Sequence, residues 1–86
     1  MIKVIRITAI WCPSCIIMKN RYDDALKTIP CEVTDYDFDD DELLYQSYQI
    51  GTTLPVVIFE ENGHELLRVI GEKSKKELHK LLEGLV

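Results

Sequence analysis

Residues 2–9, which read IKVIRITA, constrain the fold more than any other part of the sequence. β-Branched and apolar residues occupy both alternating faces of this segment, and only Lys3 and Arg6 interrupt them. A strand that is apolar on both faces is typical of the centre of a parallel sheet, where other elements cover it on each side. The sequence therefore predicts an α/β protein built around this strand.

Helical and extended patterns alternate after this strand. Apolar side chains recur on one helical face through residues 13–29, and Pro30 ends the pattern. A second strand is predicted at residues 31–38. An acidic helix is predicted next, beginning at residues 39–42 and stopping at Gly51.

The last third of the chain carries two local signals of high specificity. The Asn-Gly pair at 62–63 predicts a hairpin turn between strands at residues 56–59 and 66–70. Ser74 and Glu77 have the spacing of a capping box, which predicts the start of a final helix.

The predicted order is β-α-β-α-β-β-α, and we expect residues 1–86 to form a single domain. Two strands joined through a helix favour a right-handed parallel crossover, and the closing hairpin adds antiparallel strands. The expected fold is thus a four-stranded mixed sheet with helices on both faces.

Composition argues against two classes of partner. The net charge of −5 and the isoelectric point near 4.9 disfavour nucleic acid. No apolar run reaches the roughly 18–20 residues that span a bilayer, and no signal-peptide pattern precedes the first strand. We therefore expect a cytoplasmic protein. We also expect it to act as a monomer.

Two cysteines, Cys12 and Cys15, stand where the first strand ends and the first helix begins. Ligands meet open α/β sheets at such strand ends, and a helix N-terminus favours a thiolate on Cys12. Cys15 lies one turn further along and faces the core. This asymmetry predicts that Cys12 attacks a disulfide and Cys15 resolves the mixed disulfide. Ser14 either adds a hydroxyl hydrogen bond or is a solvated linker residue.

The cysteine pair could also bind a structural metal or form a structural disulfide. A structural zinc site needs about four ligands, and the other candidates, Cys31, His64 and His79, lack ligand-like spacing. A structural disulfide that closes so short a ring would constrain the unfolded chain little. A reactive dithiol is favoured, and no metal is expected.

Three stretches resemble the thioredoxin superfamily. WCPSC at residues 11–15 resembles its W-C-x-x-C active site, and TLP at residues 53–55 resembles the loop that carries its cis-proline. Residues 59–78 follow its last hairpin, glycine and final helix. The resemblance covers essentially the whole chain and implies a thioredoxin-like fold.

The resemblance also implies residue roles. Cys12 would be the nucleophile and Cys15 the resolving thiol. Pro55 would be cis, and the Leu54 backbone would pair with an extended substrate strand. Trp11 would flank the site as an apolar docking surface, and the two residues between the thiols, Pro13 and Ser14, would contact the substrate.

The resemblance implies an enzyme that reduces disulfide bonds in proteins and binds no cofactor. A flavin-dependent reductase or another dithiol donor would regenerate it. Pro13 and Lys19 are instead glutaredoxin-like, but the Gly-Gly turn that binds glutathione is replaced by Gly71-Glu72. A glutathione-dependent enzyme and a non-catalytic, redox-sensing interaction module are the alternatives.

Arg6 and Asp35 depart from the family pattern. Counting back from Cys12, Arg6 takes the place of a buried aspartate, and Asp35 falls near the partner lysine. We hypothesise a charge-swapped pair beneath the dithiol in which Asp35 serves as the base, since arginine cannot. The alternative is that Arg6 extends to solvent and Asp35 is exposed.

Overall fold

A computed structural model of the chain describes residues 1–39, 48–51 and 53–85. Within these ranges the chain forms four strands and two α-helices. In chain order they are β1 (Ile2–Thr8), α1 (Pro13–Ala25), β2 (Cys31–Asp37), β3 (Val56–Glu61), β4 (His64–Ile70) and α2 (Lys75–Glu83), with a 3₁₀ turn at Leu26–Thr28. Most of the helix predicted between residue 39 and Gly51 lies outside the described residues.

The strands form one sheet in the order β2-β1-β3-β4. β1 pairs in parallel with β2 and antiparallel with β3, and β3 pairs antiparallel with β4. This confirms the predicted four-stranded mixed sheet and the central place of β1. The residues of β1 from Val4 to Ile7 are all buried, as a strand with neighbours on both sides and cover on both faces requires.

The two faces of the sheet bury different clusters. α1 and α2 lie together on one face, where Met18, Tyr22 and Leu78 pack against Val4 and Phe59. The opposite face buries a second set, and partly buried side chains from residues 48–51 pack against it. This second set comprises Ile5, Ile7, Ala9, Cys12, Cys15, Leu54, Val56 and Ile58.

The two strands of the hairpin, β3 and β4, are longer than predicted because they pair up to the turn. Glu61 pairs with His64, so only two residues form the turn. Asn62 and Gly63 have φ values of 54° and 81°, as a two-residue type I′ turn requires at both positions. Pairing therefore continues up to the turn on each side, and β4 begins at His64.

The capping box at the start of α2 is confirmed. The Ser74 hydroxyl accepts a hydrogen bond from the Glu77 backbone N–H at 3.1 Å, and the Glu77 carboxylate accepts one from the Ser74 N–H at 3.4 Å. These bonds satisfy donors that have no partner within the helix. Leu78 and Leu82 then lie buried on the inner face of α2.

Ser74→Ala is expected to lower the free energy of unfolding by about 1 kcal/mol, because α2 loses its N-cap. Urea denaturation followed by circular dichroism measures the change. Lys76→Ala is the matched control, since Lys76 is exposed in the first turn of the same helix. Equal stability of the Ser74→Ala and Lys76→Ala variants would contradict a stabilising cap.

Candidate active site

Cys12 is the N-cap residue of α1, with Pro13 in the first turn. The backbone of Cys12 is extended, and its N–H donates to the Ala9 carbonyl at 3.2 Å. The Cys15 N–H contacts the Cys12 Sγ at 3.3 Å and the Cys12 carbonyl at 3.2 Å. A backbone donor and the positive end of the helix dipole thus converge on this sulfur, which stabilises negative charge there.

Cys15 occupies a different environment one turn further along α1. It is buried in the same cluster as Cys12 and Leu54. Burial, with a further contribution from the Cys12 thiol, raises the pKa of Cys15 to about 11. Both thiols are buried, Cys12 at 7% and Cys15 at 3% exposure, so they differ in hydrogen bonding more than in burial. Cys15 needs a proton acceptor before it can act as a thiolate.

An apolar rim surrounds the dithiol on the surface. Ile10 is 87% exposed, Ile16 is 63% exposed and Trp11 is 57% exposed. The Trp11 Nε1–H donates to Asp39 Oδ2 at 2.6 Å, and its ring meets Phe38 edge-on with centroids 6.2 Å apart. Sequence reasoning missed Ile10 and Ile16, whose only signal was their place beside the cysteines.

The loop before β3 lies against the same cluster. The Leu54–Pro55 peptide bond is cis, as the resemblance implies, and both residues are buried. The Gly71 N–H donates to the Pro55 carbonyl at 2.9 Å and attaches this loop to the end of β4. Pro13, by contrast, is exposed, and Ser14 is half-buried between the two thiols.

Arg6 and Asp35 form an ion pair. The parallel register of β1 and β2 sets them side by side, and two hydrogen bonds of 2.7 and 2.9 Å join the guanidinium to both carboxylate oxygens. A third hydrogen bond, from Arg6 Nη1 to Asp23 Oδ1 at 2.7 Å, joins the guanidinium to α1. The Arg6 side chain is 8% exposed, so it does not extend to solvent.

The electrostatics of this cluster follow from its geometry. The hydrogen bond from Arg6 lowers the pKa of Asp35, and Lys19 lowers it further. The Asp35 side chain is 54% exposed, so its carboxylate still reaches solvent. Sequence reasoning missed Asp23, although a buried guanidinium needs partners that offset its desolvation.

The remaining candidates lie apart from the dithiol. His64 and His79 are exposed, and Cys31 is a half-buried free thiol at the edge of the core. Across residues 1–39, 48–51 and 53–85, no three metal-ligating side chains are grouped as a metal site would require. In the part of the chain that the structure describes, no helix combines the length and the apolar character that crossing a bilayer requires.

A family model for thioredoxin matches residues 1–84. A search among curated proteins found no sequence match.

Several solved structures share the fold. Thioredoxin-2 of the malaria parasite superimposes with a TM-score of 0.83 at 23% identity, covering 98% of this chain and 82% of that one. Trxlp from Edwardsiella tarda gives 0.84 at 24%, covering 94% and 81%. Reduced thioredoxin pre-protein from Schistosoma mansoni gives 0.82 at 20%, covering 99% and 79%. At these identities the likeness shows the fold.

The Arg6–Asp35 pair predicts a pH-dependent stability. The folded-state pKa of Asp35 is lowered, so its stabilisation is present at neutral pH and is lost as the pH falls through that lowered pKa. Asp35→Asn is expected to cost about 1 kcal/mol at pH 7, a charge-assisted bond discounted for the exposure of Asp35. Urea unfolding should show the difference from wild type shrinking toward about pH 2.

Asp24→Asn is the control for this measurement, since the exposed Asp24 carboxylate meets Lys27 at 3.8 Å on the surface of α1. Its effect is expected to be small across the same range. A cost for Asp35→Asn that stays constant from pH 7 to about pH 2 would contradict the ion pair as its source.

Proposed function

The chain belongs to the thioredoxin family, a family of thiol–disulfide oxidoreductases, and on that premise we propose that it reduces disulfide bonds in proteins. The observation that carries the proposal is the asymmetry of the dithiol. Cys12 Sγ accepts the Cys15 backbone N–H at the start of α1, whereas burial raises the pKa of the Cys15 thiol to about 11. Such a pair has one thiol to attack and one to resolve.

In the first step the Cys12 thiolate attacks one sulfur of a substrate disulfide. A bond forms between Cys12 Sγ and that sulfur, the substrate S–S bond breaks, and the other sulfur leaves as a thiolate that takes a proton from water. The N–H of Cys15 stabilises the attacking sulfur beforehand. The product is a mixed disulfide between Cys12 and the substrate.

The surface around Cys12 supplies a binding site for an extended polypeptide. Ile10, Trp11 and Ile16 offer exposed apolar area, and exposed apolar patches of this kind mark interaction sites. Pro13 and Ser14 would contact the substrate beside the sulfur. The backbone of Leu54 would pair with the substrate as an added strand, which gives affinity without demanding one side-chain sequence.

In the second step the Cys15 thiol loses its proton and attacks Cys12 Sγ. The new bond joins Cys15 to Cys12, and the substrate leaves as a thiolate. Since burial disfavours the Cys15 thiolate, this step needs a base, and we assign that role to Asp35, acting through water. Arg6 holds the Asp35 carboxylate in place with two hydrogen bonds.

A turnover oxidises the dithiol, so an external donor must reduce it again. A flavin-dependent reductase or another dithiol protein would supply the two electrons, and the domain itself would bind no cofactor. We place this activity in the cytoplasm, where thiols are kept reduced.

Cys15→Ser is expected to accumulate a covalent complex with a disulfide substrate, because the mixed disulfide on Cys12 cannot be resolved. Reduction of insulin disulfides by wild type should fall to background in both Cys12→Ser and Cys15→Ser. Non-reducing electrophoresis and insulin turbidity measure the two effects.

Cys31→Ser serves as the control, since Cys31 lies apart from the site, and it is expected to keep wild-type turnover. An inactive wild type would contradict the proposed reductase and favour the interaction module instead.

The choice of reductant separates the proposal from the glutathione-dependent alternative. Gly71 is followed by Glu72 and not by a second glycine, so the turn that binds glutathione in glutaredoxins is incomplete. Oxidised protein is therefore expected to be reduced faster by a dithiol donor than by glutathione at equal thiol concentration. The dithiol donor in this assay is dithiothreitol or a thioredoxin reductase. Faster reduction by glutathione would favour the glutaredoxin-type enzyme.

A further inference from the structure

A cleft opens on the surface beside the dithiol, where the end of β1 meets the first turns of α1. Its volume is about 170 Å³, slightly more than the roughly 150 Å³ of an apolar cavity that holds a benzene molecule. The residues that line it are Thr8, Ala9, Ile10, Cys15, Ile16 and Lys19. The cleft is therefore large enough for one apolar side chain of a partner, and that side chain would lie next to the resolving cysteine.

The cleft offers apolar side chains that the protein itself leaves uncovered. Ile10 and Ile16 both line it and are both largely exposed, although isoleucine is among the residues most often buried. Removing apolar surface from water is favourable, so contact with an apolar side chain of a partner would stabilise a complex here. Ile17, the next residue of α1, is less exposed and does not line the cleft.

Lys19 supplies a positive charge at the same cleft. It lies on α1 one turn after Cys15, and it is exposed. Within the described residues no carboxylate comes within ion-pair distance of its ammonium group, whereas the buried guanidinium of Arg6 is paired with two acids. The charge of Lys19 acts on Asp35 without forming an ion pair. Lys19 is thus a cation that a partner can reach.

Negative charge lies instead beside Trp11, which does not line the cleft. Asp39 accepts the Trp11 Nε1–H, and Asp37 accepts the Asp39 N–H. A substrate carboxylate is therefore attracted at the cleft and repelled beside Trp11. The net charge of −5 repels an acidic peptide from a distance, but charges more than about 8 Å apart are largely screened at physiological ionic strength. The local charge thus decides which substrates dock.

Building on the proposed function, we propose that this cleft is a substrate subsite for disulfides flanked by an apolar residue and a carboxylate, and that Ile16 and Lys19 determine this specificity. The apolar side chain enters the cleft against Ile10 and Ile16, and the neighbouring Asp or Glu of the substrate pairs with the Lys19 ammonium. The subsite is separate from the loop that carries the cis-proline, since neither Leu54 nor Pro55 lines the cleft.

Peptides joined to thionitrobenzoate through a mixed disulfide test the subsite. Cys12 Sγ bonds to the peptide sulfur, the S–S bond to the reporter breaks, and thionitrobenzoate leaves as a coloured thiolate because it is the less basic of the two thiolates. Four peptides carry Leu-Glu, Leu-Gln, Leu-Lys or Ala-Glu next to a single cysteine, in one series before it and in a second series after it. Stopped-flow absorbance in a Cys31→Ser background gives the second-order rate constant for each peptide.

The Leu-Glu peptide is expected to react about threefold faster than Leu-Gln in at least one series, with Leu-Lys slower than both, which is the size of effect that an exposed ion pair produces. Lys19→Gln should abolish the difference between Leu-Glu and Leu-Gln, and so should salt at about 1 M. Because rate constants are compared between peptides, any effect of a variant on the carboxylate of the reporter cancels.

Lys27→Gln is the matched control, because it changes the net charge equally at an exposed lysine that does not line the cleft. It should keep the preference for Leu-Glu. Equal rates for Leu-Glu and Leu-Gln in both series, or a preference that survives Lys19→Gln, would overturn the proposal.

The apolar part of the subsite is tested with the Ala-Glu peptide. Leu-Glu is expected to react about fivefold faster than Ala-Glu, since the leucine side chain is partly buried in the cleft. Ile16→Ser should remove most of this preference, and Ile17→Ser, the neighbouring control outside the cleft, should retain it. A preference for leucine that is the same in both variants also contradicts the subsite.

The subsite and the proposed function fail in different ways. If no peptide reacts with the protein faster than with free cysteine at the same pH, Cys12 is not an activated nucleophile, and both fail. If all peptides react rapidly but at equal rates, the proposed function stands and the subsite is overturned.

Discussion

The burial of Arg6 is the constraint on which the arrangement of the site depends. A guanidinium enclosed between a sheet and a helix loses its hydration, and the loss is offset only where carboxylates meet it with good geometry. Asp35 meets it from β2 and Asp23 meets it from α1. The ion pairs thus fix the register of the parallel strands and the position of the helix at once. Because α1 carries the dithiol at its first turn, they also fix where the thiols lie relative to the sheet.

The two sulfurs have different surroundings because they are one helical turn apart. Cys12 Sγ, at the N-cap, accepts the Cys15 backbone N–H, which it shares with the Cys12 carbonyl. Cys15, three residues on, faces the core, where the charged form of its thiol is disfavoured. One local backbone geometry therefore gives Cys12 Sγ a backbone hydrogen bond and leaves Cys15 with a raised pKa. The chemistry proposed above follows from this contrast more than from the identity of the residues between them.

The parts of the fold that depend on residues close in sequence could be predicted. For the parts that depend on residues that meet only in the folded structure, the sequence left alternatives open. Ser74 and Glu77 define their cap within four residues, and the Asn-Gly turn forces its own backbone conformation. The Arg6–Asp35 pair could be inferred because adjacent parallel strands bring like-facing residues together. Asp23 could not, because only the docking of α1 brings it to Arg6. Most of the helix predicted after residue 39 lies outside the described residues.

The strand order has a consequence for encounters between copies of the protein. β2 is the terminal strand of the sheet on its side, and an outer strand presents unpaired backbone groups that can template edge-to-edge aggregation. Glu32, Asp35 and Asp37 place carboxylates at intervals along it. Two such edges repel each other as they approach, which opposes fibril-like stacking. Glu32 and Asp37 contribute most to this repulsion, since the charge of Asp35 is paired with that of Arg6.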